Sequence, residues 1–109
     1  MLAARRRTSS LVERAFRLPG IAMAEYTLGH RRDSRGVLQK AIEKQAQTGA
    51  YDIAAAFAWR GEHDQAFQWL EHAYRQRERG LSEVKIDPLL CTLRGDPRFK
   101  ALLHRMHLS

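Results

Sequence analysis

Apolar side chains recur three and four residues apart through most of this chain, and short polar turns interrupt the recurrence. Between Ala50 and Tyr74 they fall at Ile53, Ala54, Phe57 and Ala58, then at Ala66, Phe67, Leu70, Ala73 and Tyr74. That spacing predicts two helices, each with one buried stripe. Arg60-Gly61-Glu62-His63-Asp64 separates them. Gly61 can take the left-handed conformation that ends a helix, and Asp64 is placed to cap the next one. Helices joined this tightly pack on each other, with Ala54, Ala66 and Ala73 permitting close approach while Phe57 and Leu70 fill the space between.

A fainter copy of the same pattern precedes this hairpin. A helix is predicted over 21–30 with Ala22, Met23 and Tyr26, and a second over 33–46, capped by Asp33, with Val37, Leu38, Ala41 and Ile42 as its stripe. Aligning Gly29 with Gly61 sets Ala22 over Ala54, Leu38 over Leu70 and Ala41 over Ala73. Ser34 then takes the place of Ala66, and Glu25 that of Phe57. A buried unpaired carboxylate is costly, so Glu25 is expected to turn toward solvent.

The flanks are helical too. Ser10-Leu11-Val12-Glu13 has capping-box spacing and opens a short helix that Pro19-Gly20 ends. Gly80 stops the Leu70 helix, residues 81–86 form a connector, and Asp87-Pro88 and Asp96-Pro97 each place a capping carboxylate before a proline. Leu89, Leu90 and Leu93 line the helix after the first pair; Phe99, Leu102, Leu103 and Met106 line the last. The prediction is seven helices and no strands: an all-α fold of antiparallel helical hairpins.

The run G-E-H-D-Q-A-F-Q-W-L-E-H-A-Y, Gly61 to Tyr74, resembles the second helix of a tetratricopeptide repeat, a helical hairpin that stacks on copies of itself. Ala54, Ala66 and Ala73 match its small positions, and Phe57 and Leu70 its large ones. Two positions depart from the repeat: Ala50 stands in place of its tryptophan, and Glu78 in place of its closing proline. The resemblance implies a short α-solenoid with repeats at about 19–46 and 47–80 and a closing segment, 81–109, whose last helix caps the stack. One domain, 10–109, would follow a basic disordered tail, 1–9. The stretch from Gly80 to Met106 also resembles the tail that closes many bacterial proteins of this family. Ala15, Phe16 and Pro19 resemble the end of a repeat's second helix, so the chain would begin inside a longer array. The half repeat would leave Leu11, Val12, Ala15 and Phe16 either mobile or engaged with another chain, such as a second copy in a homo-oligomer.

In such arrays the first helix of each pair lines a concave groove. Carried over by position, this places Met23 and Tyr26 beside Tyr51, Ala55 and Trp59 as the surface for a protein or peptide partner. Family members that grip a terminal carboxylate use Lys, Asn and Arg where this chain has Tyr51, Asp52 and Ala55, which speaks against that ligand.

Charge adds a second candidate surface. The net charge is +7, and residues 1–40 hold nine Lys/Arg against three Asp/Glu while the remainder holds ten against nine. Phosphate contacts need only clustered cations, so Arg5, Arg6, Arg7, Arg14, Arg17, Arg31, Arg32 and Arg35 make nucleic-acid binding the alternative, although no motif for reading bases accompanies them. The opening MLAARRRTSS is open to three readings: a solvated tail, an organellar transit segment, or phosphate contacts.

No apolar run approaches membrane-spanning length. The lone Cys91 excludes an internal disulfide and suits the reducing cytoplasm. Its place between Leu90 and Leu93 reads as a small core position. There is no Gly-rich phosphate loop, His-Glu-x-x-His or G-x-S-x-G, so neither catalysis nor a cofactor is expected. His63 and His72 read as facing solvent. His104 and His107 share a helix face without a third ligand, and no metal is expected there.

Overall fold

The computed structural model describes residues 17–45, 49–78, 81 and 84–107. Its elements are α1 (Leu18–Thr27), α2 (Arg31–Gln45), α3 (Ala50–Trp59), α4 (His63–Arg75), a 3-10 helix (Pro88–Leu93) and α5 (Pro97–Arg105). Among the described residues there is no strand. The helix predicted from Ser10, with its half repeat and the basic tail before it, lies outside the described residues.

Several boundaries differ from expectation for identifiable reasons. Pro19-Gly20 lies in the first turn of α1 rather than closing a preceding helix; the N–H that proline lacks has no intrahelical partner there. Helices α2 and α4 start at Arg31 and His63, so Asp33 and Asp64 sit inside first turns and not at caps. A carboxylate in a first turn still favours the helix dipole. Helix α4 stops at Arg75, and Arg77, at φ +54°, takes the left-handed conformation that was expected of Gly80. Both Asp-Pro pairs do cap: Asp87 accepts from the Leu89 N–H and Asp96 from the Arg98 N–H, each at 2.9 Å. The first of these opens a 3-10 helix. At three residues per turn Leu90 and Leu93 share its buried side, which turns Cys91 outward, so the expected core cysteine is exposed.

Helices α1 and α2 pack as one hairpin, and α3 and α4 as another. Their turns are the same structure made twice. In the first, the N–H groups of Leu28, Gly29 and His30 donate to the carbonyls of Ala24, Tyr26 and Glu25; in the second, those of Arg60, Gly61 and Glu62 donate to Ala56, Ala58 and Phe57, all between 2.8 and 3.1 Å. Each turn needs a left-handed residue, and Gly29 (φ +88°) and Gly61 (φ +79°) supply it. The aligned pairs Ala22/Ala54, Ser34/Ala66, Leu38/Leu70 and Ala41/Ala73 are all buried. Ser34 fits an alanine position because its hydroxyl donates to the Ala22 carbonyl at 2.6 Å, which leaves no orphaned polar group.

Helix α3 is the centre of the molecule. It contacts α1, α2, α4 and the 3-10 helix, and every residue from Ala50 to Ala58 except Asp52 is buried. Its alanines let four neighbours approach at once. The closing segment adds Leu81, Val84, Leu90, Leu93, Phe99, Leu102 and Leu103 to the same core.

Glu78 ties the second hairpin's end to its beginning. No side chain of α3's own N-cap, Gly49, can serve its first N–H groups. The Glu78 carboxylate accepts from the N–H groups of Ala50 (3.1 Å) and Tyr51 (3.0 Å) instead. Replacing Glu78 with alanine is expected to destabilise the chain by about 1–2 kcal/mol, the upper range for a lost N-cap, because the capped end is enclosed. Urea unfolding checks this, and an unchanged midpoint would mean that water caps α3 equally well.

Candidate binding surface

The five residues expected to line one groove fall into two sets. Tyr51 and Ala55 are inside the protein: Ala55 is fully enclosed, and Tyr51 is 5% exposed with its hydroxyl donating to Asp87 Oδ2 at 2.6 Å. The closing segment covers this side of α3, and the Thr92 hydroxyl also bonds the Ala58 carbonyl at 2.9 Å. The face of α3 that the repeat comparison leaves for a ligand is therefore occupied by the chain itself.

Met23, Tyr26 and Trp59 remain nearer the surface, where α1 and α3 meet. Met23 is half-buried against the core. Trp59 is 38% exposed, yet its indole is fixed: Nε1–H donates to Thr27 Oγ1 at 2.8 Å, and the Thr27 hydroxyl donates to the Met23 carbonyl at 2.9 Å. Leu28, next in sequence to Thr27, is 67% exposed, and Ile21, 37% exposed, lies two turns back on the same face of α1. Neither belongs to the groove read from the repeat. The turn alignment gave no signal for Leu28, since it stands where the second hairpin has Arg60, whose side chain is enclosed.

A buried cation sets how the two hairpins meet. The Arg60 side chain is 5% exposed. Its Nε donates to Glu62 Oε2 at 2.7 Å, and its Nη1 donates to Ser34 Oγ at 2.7 Å and to the Arg31 carbonyl at 3.4 Å. Arg35 donates to the other Glu62 oxygen at 3.2 Å. Burial pushes the Glu62 carboxyl up, but the hydrogen bond and charge of Arg60, joined by Arg35, prevail and hold it below its ordinary 4.5. The Arg60 and Arg31 guanidinium carbons also lie 5.1 and 5.6 Å from the Tyr26 ring centre. Tyr26 is thus clamped by cations rather than open to a ligand on all sides.

Of the candidate phosphate-binding arginines, Arg17, Arg31, Arg32 and Arg35 are described. Arg5, Arg6, Arg7 and Arg14 lie outside the described residues. Arg17 pairs with Asp52 at 3.6 Å, Arg35 pairs with Glu62, and Arg31 covers Tyr26. Arg32 is exposed on α2.

On the other side a groove of about 600 Å³ runs between α4 and α5 over Phe67, Ala101 and Leu102. Two ion pairs cross it. Arg98 bonds Asp64 at 2.8 Å, and Arg105 bonds Glu71. The guanidinium of Arg98 also lies 4.6 Å from the Phe67 ring centre. Hydrogen bonds from Arg98 hold the Asp96 carboxyl down at about 2. This groove has its charges already matched, which suits a strut holding α5 in place. His72 does not face solvent as expected: its Nε2 is buried without a partner, and its ring meets Trp69 edge-on at 5.3 Å. His104 and His107 are exposed, and no third ligand among the described residues joins them.

No protein family, curated protein or solved structure matches the chain.

Proposed function

We propose that this chain is a protein-interaction module of the tetratricopeptide kind, a short α-solenoid that binds a protein or peptide through the apolar surface where α1 meets α3. The repeated architecture carries this reading. The first hairpin recurs as the second with the same turn bonds, left-handed glycine and buried small positions, and the first helices pack in sequence, α1 on α3 and α3 on the 3-10 helix. Stacking of equivalent helices is how a solenoid buries a continuous core.

The surface it presents has the composition of a recognition site. Trp59 offers a large ring already held by Thr27, so little side-chain freedom remains to be lost on binding. Leu28 and Ile21 extend the apolar area along α1. Tyr26 borders it, while Tyr51 acts from within by holding the closing segment through Asp87 and Ala55 is enclosed in the core. A scaffold of this type requires neither a catalytic group nor a cofactor. The nucleic-acid alternative has less support, because Arg17 and Arg35 are paired with carboxylates.

Affinity capture with the intact chain tests the proposal against a Leu28→Asp/Trp59→Ala double variant. The expected result is loss of the same partner at unchanged far-UV circular dichroism, with the partner retained by Ile86→Asp, which alters an exposed residue of the connector. Retention by the double variant would overturn the assignment. Capture of nucleic acid, lost steeply with salt and indifferent to these changes, would favour the arginine-rich first third.

A further inference from the structure

The turn between α1 and α2 gathers three side chains that its counterpart between α3 and α4 does not. Glu25 stands in the last turns of α1, His30 just before α2, and Asp33 in the first turn of α2. Each offers one ligating atom, and these atoms all lie within 4.8 Å of one another. His30 Nδ1 and Glu25 Oε2 are 2.9 Å apart. The backbone beneath them is braced: the His30 N–H bonds the Glu25 carbonyl at 2.8 Å, and the Ser34 N–H bonds the His30 carbonyl at 2.9 Å.

The second hairpin serves as an internal control. The positions equivalent to Glu25, His30 and Asp33 are Phe57, Glu62 and Gln65, and that turn makes the same backbone bonds without any of the three. Turn formation therefore does not require them. Glu25 also occupies a place where the sister hairpin buries an aromatic ring. It was expected to turn out to solvent, but it is half-buried and joined to His30. A half-buried carboxylate beside an imidazole and a second carboxylate is a set of side chains that a metal ion would unite.

We propose that Glu25, His30 and Asp33 bind a borderline first-row divalent cation, Zn²⁺ being the best fit to one imidazole and two carboxylates. Ligands held at about 2.0–2.2 Å from a tetrahedral zinc stand about 3.3–3.6 Å from one another, so the His30–Glu25 pair must open slightly from 2.9 Å and the widest pair must close by about 1.5 Å at most. Asp33 and His30 are exposed and can swing that far on their own rotamers, while the hydrogen-bonded turn fixes their Cα positions. Two carboxylates supply the charge that the cation needs, and the imidazole selects against Mg²⁺ and Ca²⁺, which prefer oxygen alone. Three protein ligands leave the fourth position to water.

The test uses the full chain and Zn²⁺ alone, by titration calorimetry in a buffer that does not bind metal. One Zn²⁺ per chain is expected, with affinity falling at least about tenfold in each of Glu25→Gln, His30→Gln and Asp33→Asn. A His104→Gln/His107→Gln variant should bind as the parent does. Co²⁺ should give the intense visible bands of a four-coordinate site in the parent and lose them in the three variants. Zn²⁺ should raise the parent's Tm and leave that of His30→Gln unchanged, a comparison that also verifies folding of the variant. Absence of binding at millimolar Zn²⁺ would overturn the assignment, as would binding abolished by the His104/His107 variant and untouched by the other three.

Discussion

Replacing Leu70 with alanine is expected to lower the stability of the chain by about 2–5 kcal/mol, the lost transfer energy of the side chain plus the cavity left behind. Leu70 is fully buried on α4, facing α3, in a core whose other members on that pair are mostly alanine. Small neighbours cannot move in to fill the space, because close backbone packing already fixes them. A domain of this size has a total stability of roughly 5–15 kcal/mol, so one truncation removes a large part of it. Leu38, its counterpart in the first hairpin, is also buried, and Leu38→Ala should destabilise in the same direction. Urea unfolding followed by circular dichroism gives both values. A loss below about 1 kcal/mol for Leu70→Ala would place the side chain at the periphery and break the register between the hairpins with it.

That register was legible because its determinants are local. A left-handed residue is needed at Gly29 and Gly61, small residues are needed where helices touch, and both demands leave their mark within a few positions of chain. Other features depend on residues far apart. Tyr51 and Ala55 looked available because nothing near them in sequence announces the segment around Asp87 that covers them; the covering hydrogen bond spans 36 residues. Cys91 was misplaced because its adjacency to Leu90 was read as burial; one step along the chain is about 100° round an α-helix and about 120° round a 3-10 helix, so either phase turns it away from the side that Leu90 and Leu93 share. Glu78 marked a departure from the repeat pattern and is in fact the cap of α3.

Arg60 is the clearest case of a residue whose role sequence could not show. In a polar turn a guanidinium is ordinarily solvated, yet here it is enclosed because Ser34, from the first hairpin, and Glu62, from its own turn, meet around it. Arg60→Met keeps much of the aliphatic volume and removes the charge. It is expected to destabilise the chain at neutral pH by about 2 kcal/mol, less than for a fully buried pair because Glu62 keeps solvent access and its bond to Arg35. The pH dependence identifies the cause. In the parent the folded state holds Glu62 below 4.5, so its contribution is complete above the unfolded value and disappears as pH falls through the folded one. In Arg60→Met the dominant cation is gone and burial favours the protonated carboxyl, so acid no longer weakens the folded state through this group. The difference in stability between parent and variant should therefore be largest near neutrality and shrink as pH drops below 4.5. A difference that stays constant with pH would assign the effect of Arg60 to its bond with Ser34 and its packing on Tyr26 rather than to Glu62, and Glu62→Gln, which removes the charge directly, should then leave the Arg60→Met penalty intact.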